Sequence, residues 1–442
     1  MPYTHTDCGT PDSTEGRVSE TRTGSSVSHT NQPIRVLYSY PLKIGAGRIC
    51  HTAWQQVNGL TAAGADVLLF PGVLHKPVDV NVTVRPTLSR GKFRISYKLV
   101  GIMHALALHD YIVSRRIEKL VGQIDVIHTW PDAALQTLKT AARLGIPTVL
   151  ERPNTHTRYA YETVQRESKR LGVLLPPDNE YANKVDVLRR EEEEYQLADY
   201  LLCPSDFVRQ TFLDQGFPSG KLMRHQYGYD EKAYCPAVGP AAQEKRGLTM
   251  LFAGDCAVRK GVHFALEAWL KSPAHLDGTF MIAGNFLPAY AEKLSGMLSH
   301  PSVRILGFRN DIPELMRKSD IFVLPSIEEG SALVTSEARG SGCVVLVSEA
   351  TGAICKHMEN ALVHRVGDVE TLSRQISLLH EDRALLDRLR TASLSSVHEI
   401  TWTAAGARLL QVYRDVIVAR RKAVSSLLVG TRQDNGAGLQ HG

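Results

Sequence analysis

The feature that most limits what this chain can become is an alternation of apolar runs and helical stretches, gone through twice. IRVLYSY (34–40) is a short β-branched run that leads into the glycine-bearing PLKIGAGRI. A helical pattern follows in HTAWQQVNGLTAAG, then a second apolar run in DVLLFPG (66–72). Strand, glycine loop, helix, strand is the unit of a parallel α/β sheet. Further strands are predicted at DVIHTW (125–130), TVLERP (148–153) and YLLCPS (200–205), the last after a helix ending near Leu197. The alternation restarts at LTMLFAG (248–254), with a helix in VHFALEAWL and strands in TFMIAG, VRILGF, DIFVLPS and CVVLVS. Between the halves, AVGPAAQEKRG (237–247) is small, polar and Pro/Gly-bearing, as a linker is.

The chain has 442 residues, more than the ~250–300 that one core usually fills. The expectation is therefore two doubly wound, Rossmann-like α/β domains, 34–236 and 248–400. Ligands bind beyond the carboxyl ends of the strands in such sheets, which points to the cleft between the domains. Residues 1–33 are rich in Ser, Thr and Gly and read as a disordered leader; 425–442 reads as a disordered tail.

Composition excludes more than it selects. The net charge of +5 over this length does not argue for nucleic acid. Cys8, Cys50, Cys203, Cys235, Cys256, Cys343 and Cys355 are odd in number and never spaced as a zinc or disulfide framework. The first residues lack an apolar signal core, and no apolar run reaches the ~20 residues of a membrane span. The expected location is the cytosol, with peripheral contact at the inner membrane face left open.

Two segments carry chemistry. In LFAGDCAVRKG the strand ends at Gly254, and Arg259 and Lys260 precede a helix. Two cations near exposed backbone N–H groups make an anion site, suited to a diphosphate; a solvated surface pair is the competing reading. In PSIEEGSALVTSEARGSG, Glu329 closes the loop after a strand and Glu337 lies about two turns into the following helix. Gly330, Ser331 and Ala332 are small enough for backbone to approach a ligand, and two carboxylates could grip two ends of a polyol. Ordinary helix N-terminal acids are the alternative, and Glu328 fits that better than Glu329.

Taken together these segments resemble the retaining GT-B glycosyltransferases of family four. Gly254 with Lys260 six residues on, and Glu329 with Glu337 after seven intervening residues, match that family's two spacings. LLCPSDFVRQTFLDQGFPSGKL, YGYD (227–230) and TWTAAGARLLQVYRDVI resemble its other segments, so the likeness runs from about Ile34 to Val418. It implies a GT-B fold whose last helix (401–424) returns to the first domain. It implies that Arg259 and Lys260 bind the donor diphosphate, Glu329 the donor sugar and Glu337 the ribose. Gly45 and Gly47 would lie near the phosphates, with Gly254, Gly330, Ser331, Ala332 and Leu333 completing the donor site. Two departures stand out. Asp255 sits where many members carry Arg, and is expected to point away; Gly330-Ser331-Ala332 replaces Gly-Phe-Gly.

The first domain is expected to hold the acceptor. His156 falls close to the family's functional histidine and is a catalytic candidate; a loop histidine with a local backbone partner is the alternative. Glu151, Arg152 and Asn154 share its loop, and His128 and Trp130 end the neighbouring strand. No Asp-x-Asp occurs, so no metal is expected. No cofactor is implied beyond a UDP- or GDP-sugar donor, and the acceptor would be a sugar, polysaccharide or glycolipid. The basic segment 85–98 (Arg85, Arg90, Lys92, Arg94, Lys98) reads as a solvated loop or a contact for anionic lipid. In RREEEE (189–194), Arg189–Glu193 and Arg190–Glu194 read as a solvated, self-paired helix face. The alternatives to a transferase are a GT-B phosphorylase, a sugar-nucleotide epimerase, and a degenerate subunit that only binds.

Overall fold

The computed structural model describes residues 32–91, 93–95, 97–237 and 247–436. In chain order, β1 (Arg35–Ile44), β2 (Asp66–Leu74) and β3 (Thr83–Val84) precede a small antiparallel hairpin of β4 (Ser89–Arg90) and β5 (Phe93–Arg94). β6 (Val126–Thr129), β7 (Thr148–Glu151), β8 (Tyr200–Cys203) and β9 (Leu222–Arg224) complete a first sheet of order β3-β2-β1-β6-β7-β8-β9. The second sheet uses β10 (Thr249–Ala253), β11 (Thr279–Ala283), β12 (Val303–Gly307), β13 (Ile321–Leu324), β14 (Val344–Ser348) and β15 (Leu362–His364). Its order is β12-β11-β10-β13-β14-β15. Every ladder in both large sheets is parallel, as in β1 beside β2 and β10 beside β13.

The central strands explain this choice. VIHT, TVLE, IFVL and VVLVS are buried at every position, the pattern of strands covered by helices on both faces. The predicted strands match within a few residues. Those not predicted, β3, β4, β5, β9 and β15, have two or three residues each, too few for an apolar period to show.

The last helix, Trp402–Gly436, crosses back to the first domain. Leu409, Tyr413 and Val416 are buried in the first domain's core, each contributing roughly 1.5–3 kcal/mol by leaving water. The crossing is close: a Cβ on Gly406 would lie 2.4 Å from the backbone of Gly59. This helix continues through 425–436, so the tail begins later than expected there. Most of the leader (1–31 of 1–33), most of the linker (238–246), Lys92 of the basic segment and residues 437–442 lie outside the described residues.

The acidic run also differs from the expected solvated face. Glu193 reaches Lys139 and Arg189 reaches Asp186, while Arg190 does meet Glu194 at 3.6 Å. Glu194 is fully buried and accepts the backbone N–H groups of Asp132 and Ala134. Glu191 is buried beneath Arg152. Orphaned loop amides draw Glu194 inward, because a buried N–H without a partner costs more than an internal hydrogen bond, and Glu191 is held by Arg152 and the Tyr195 hydroxyl.

Candidate active site

A cleft of about 630 Å³ opens between the two domains. The second domain supplies the carboxyl ends of its middle strands. Ala253 and Gly254 end β10, Ala283 and Gly284 end β11, and the loop after β13 brings Glu329 to Leu333. The first domain supplies Arg48, Ile49, Thr52, Pro153 and Asn154.

Arg259 and Lys260 close a single helical turn, Val258–Lys260, ahead of the helix Val262–Lys271. The turn is tied to the neighbouring loop by the N–H of Ile327, which donates to the Arg259 carbonyl at 2.9 Å. Both side chains meet Glu329: Arg259 Nη1 at 2.8 Å through Oε2, and Lys260 Nζ through Oε1. Arg259 also donates to the Glu328 carbonyl at 3.0 Å and lies over the Tyr181 ring. Burial alone would raise the Glu329 carboxyl, but Arg259 and Lys260 hold it below the usual range. Burial draws the Lys260 ammonium down, against the pull of Glu329. Two oriented cations on a fixed carboxylate are pre-arranged for an anionic oxygen, with little reorganisation to pay for when one arrives.

Glu337 stands at the other end, lining the same cleft, at the fifth residue of the helix Leu333–Gly340. It is about one turn in, not two. Burial pushes its carboxyl up to about 7, Asp230 adding to the rise and a hydrogen bond from Tyr234 opposing it. A carboxyl balanced in this way accepts hydroxyl protons readily once ionised. Gly254, Gly330, Ser331, Ala332 and Leu333 all line the cleft. The Ala332 amide, however, is spent on the Thr351 carbonyl at 3.0 Å.

Glu328 is not a helix-end acid. It is fully buried and its Oε1 accepts from the Thr155 hydroxyl at 2.7 Å, joining the second domain to the first. The loops touch again at Gly330, where a Cβ would lie 1.6 Å from the Pro153 carbonyl oxygen.

The first-domain expectations need correction. His156 is buried and outside the cleft lining. Its Nδ1 accepts the N–H of Arg158, capping the helix Thr157–Leu171, and its ring packs on Tyr195, Phe212 and Phe217. Burial pulls its pKa to about 3, so it is a neutral cap. Glu151 is fully buried among Gln56, His225 and Tyr227. Arg152 stacks on Tyr195 and faces Glu191. His128 bonds Tyr413 at 2.6 Å, and Trp130 bonds Tyr38 at 2.9 Å. All four are buried in the first domain's polar interior, where His128 ties the returning helix to the sheet; of the acceptor candidates only Asn154 lines the cleft. Gly45 is pressed against Lys76, and neither it nor Gly47 is part of the lining. The residue that loop presents is Arg48, whose guanidinium lies 3.3 Å from Asp255. Asp255 thus faces the cleft instead of pointing away. Arg48, Tyr181, Tyr234, Asn285 and Arg309 are lining residues that the sequence reading did not name; only Arg48 carried a signal, following Gly45-Ala46-Gly47.

Two parallel α/β domains with a cationic corner in the cleft between them make the GT-B architecture. The chain matches the group 1 glycosyl transferases over residues 247–382. It is 28% identical over 319 residues to the Escherichia coli UDP-Gal:alpha-D-GlcNAc-diphosphoundecaprenol alpha-1,3-galactosyltransferase, covering 66% of this chain and 76% of that one. It is 33% identical over 122 residues to the Campylobacter jejuni N,N'-diacetylbacillosaminyl-diphospho-undecaprenol alpha-1,3-N-acetylgalactosaminyltransferase. That alignment spans 27% of this chain and about a third (32%) of the relative. The solved structure of Anabaena HepE with UDP superposes with a TM-score of 0.58 at 16% identity, covering 87% of this chain and all of HepE. Among the described residues no helix is long and apolar enough to cross a membrane.

Proposed function

We propose that this protein is a retaining hexosyltransferase, taking a UDP- or GDP-sugar as donor and a hydroxyl of a lipid-linked glycan as acceptor. The observation that carries the reading is the shape of one cleft. Arg259 and Lys260 on Glu329 stand at one end, and Glu337 with Tyr234 at the other. The cations take the diphosphate, Glu329 receives sugar hydroxyls, and Glu337 receives the ribose hydroxyls. The relatives' diphosphoundecaprenol acceptors support a polyprenyl-diphosphate glycan as the second substrate. Such an acceptor puts the reaction at a membrane surface, and cytosolic nucleotide sugars put it on the inner face.

In this reading the bond from the anomeric carbon to the diphosphate oxygen breaks heterolytically, and its electron pair goes to the diphosphate. Arg259 and Lys260, in place of a divalent cation, stabilise that charge. The acceptor oxygen bonds the anomeric carbon from the same face and passes its proton to a leaving phosphate oxygen. The interdomain contacts Thr155–Glu328 and Pro153–Gly330 hold the cleft narrow and exclude water. The test is a hydrolysis screen of the purified protein across UDP- and GDP-sugars, which needs no acceptor. One donor should be consumed slowly with release of its nucleoside diphosphate. Consumption only when orthophosphate is added would make the protein a phosphorylase instead.

A further inference from the structure

One side chain in the cleft carries a polar group that the protein itself leaves unused. Tyr181 belongs to the segment between the helices Thr157–Leu171 and Val185–Leu197. That segment starts inside the other domain, with Val173 buried in the second domain's core. A tight turn then carries the chain to the cleft. The N–H of Asn179 donates to the Pro176 carbonyl at 2.9 Å, and the Asn179 side chain accepts the N–H of Tyr181 at 2.9 Å. An asparagine that spends its side-chain oxygen on the backbone two residues on fixes such a turn.

The ring is held from both domains. Ala160 and Val164 of the first domain pack with it in one cluster that also takes in Phe264 and Ile327 of the second. The Arg259 guanidinium lies over the ring, 5.1 Å from its centre, and bonds Glu329 at 2.8 Å. One guanidinium thus touches both the Tyr181 ring and the Glu329 carboxylate. Tyr181 is 7% exposed to solvent and lines the cleft.

The hydroxyl is the unused group. It makes no hydrogen bond among the described residues, where Tyr181 bonds only through its backbone. A tyrosine hydroxyl this far buried ordinarily finds a partner. It is not sealed away as the partnerless Tyr40 hydroxyl is, and the cleft is the side from which a partner can reach it. Burial and the charge of Glu328 push its pKa well above 10, with Arg259 opposing and Glu180 and Glu329 adding to the rise. The group therefore stays protonated and donates. Three carboxylates bearing on one hydroxyl make its surroundings unfavourable for a phosphate oxygen. A neutral sugar hydroxyl, which both donates and accepts, suits a phenol on one side and a carboxylate on the other.

We propose that Tyr181 is a specificity-determining residue, its hydroxyl donating to one hydroxyl of the transferred sugar while Glu329 accepts from another. This rests on the reading of the cleft as a nucleotide-sugar site. The variant Tyr181→Phe removes one oxygen and keeps the ring on Arg259. The experiment is isothermal titration of the wild type and of Y181F with UDP-glucose, UDP-galactose, UDP-N-acetylglucosamine and GDP-mannose, and with UDP and GDP alone. The nucleotide sugar that the wild type binds best should bind Y181F about three- to tenfold more weakly, the worth of one neutral hydrogen bond. Its bare nucleoside diphosphate should bind both forms within about twofold. Monodeoxy analogues of that sugar supply a readout that a merely structural ring would not move. One analogue should bind the wild type as weakly as the intact sugar binds Y181F, and Y181F should not tell the two apart. Equal affinity of both forms for the intact nucleotide sugar overturns the assignment of Tyr181 and leaves the cleft reading standing. An equal loss for UDP or GDP alone also overturns it, by placing the hydroxyl on the diphosphate. Failure of the wild type to bind any of these nucleotides removes the cleft reading, and this inference with it.

Discussion

Replacing Gly330 by alanine tests how the two domains make one site. The added Cβ would sit 1.6 Å from the Pro153 carbonyl oxygen and 3.1 Å from Asn154 Cα. Real Cβ contacts do not fall under 3.0 Å, so the two loops must part by about 1.4 Å. The obstruction is backbone on both sides, so no flexible side chain can yield. Parting would also stretch the 2.7 Å bond between Thr155 and Glu328. A misplacement near 1 Å costs about a hundredfold in rate when donor and acceptor sit on different walls. The donor's grip should survive, because Lys260, Glu329 and Glu337 all belong to the second domain. The expected result is a kcat/KM for transfer about a hundredfold down, with nucleoside-diphosphate affinity within a few fold of wild type. Steady-state kinetics beside calorimetry separates the two quantities. Transfer at the wild-type rate would refute the claim that this contact sets the catalytic geometry.

Other expectations follow from the same geometry. Lys260→Ala and Glu329→Ala should each lower turnover by about a hundredfold or more with unchanged circular dichroism; wild-type rates in either would remove the donor assignment. Asp255→Ala should tighten UDP-sugar or GDP-sugar binding several fold at low salt, and Arg48→Ala should weaken it, both effects fading as salt rises; an unchanged affinity for the Asp255 variant would place the diphosphate elsewhere. The Glu337 carboxyl sits near 7 and binds hydroxyls best when ionised, so affinity for a nucleotide sugar should rise from pH 6 to pH 8 in wild type and stay flat in Glu337→Gln. Burial pushes Glu194 up to about 8. Its folded value therefore lies above its unfolded one. The stability it gives is complete at acid pH and lost as pH rises through about 8, so the wild-type Tm should fall more than that of Glu194→Gln between pH 6 and pH 9.

The sequence made the second domain's site readable because its parts lie close along the chain. Gly254, Arg259 and Lys260 share one loop, and Glu329 to Glu337 share another. A strand end followed by a helix start fixes such residues at the cleft with no long-range information. The first domain defeated the same reasoning. Glu151, Arg152, His128 and Trp130 also end strands, yet β6 and β7 lie in the middle of their sheet, where the returning helix meets His128 and first-domain aromatics cover Arg152. Polar side chains there satisfy one another inside the protein, a pairing that joins residues as far apart as His128 and Tyr413. His156 looked like a free loop residue because nothing local shows that its ring caps the next helix among three aromatics. Tyr181 and Tyr234 reach the cleft from long connecting segments, whose paths no periodicity records.

The central claim is that one cleft, built on Lys260, Glu329 and Glu337, takes a nucleoside-diphosphate sugar. Isothermal titration of the wild type and of Lys260→Ala with UDP and with GDP tests it most directly. One of the two nucleotides should bind the wild type at a single site, and the same titration of the lysine variant should show binding weakened at least tenfold. Heat from neither nucleotide, or equal binding to both forms of the protein, would contradict the account.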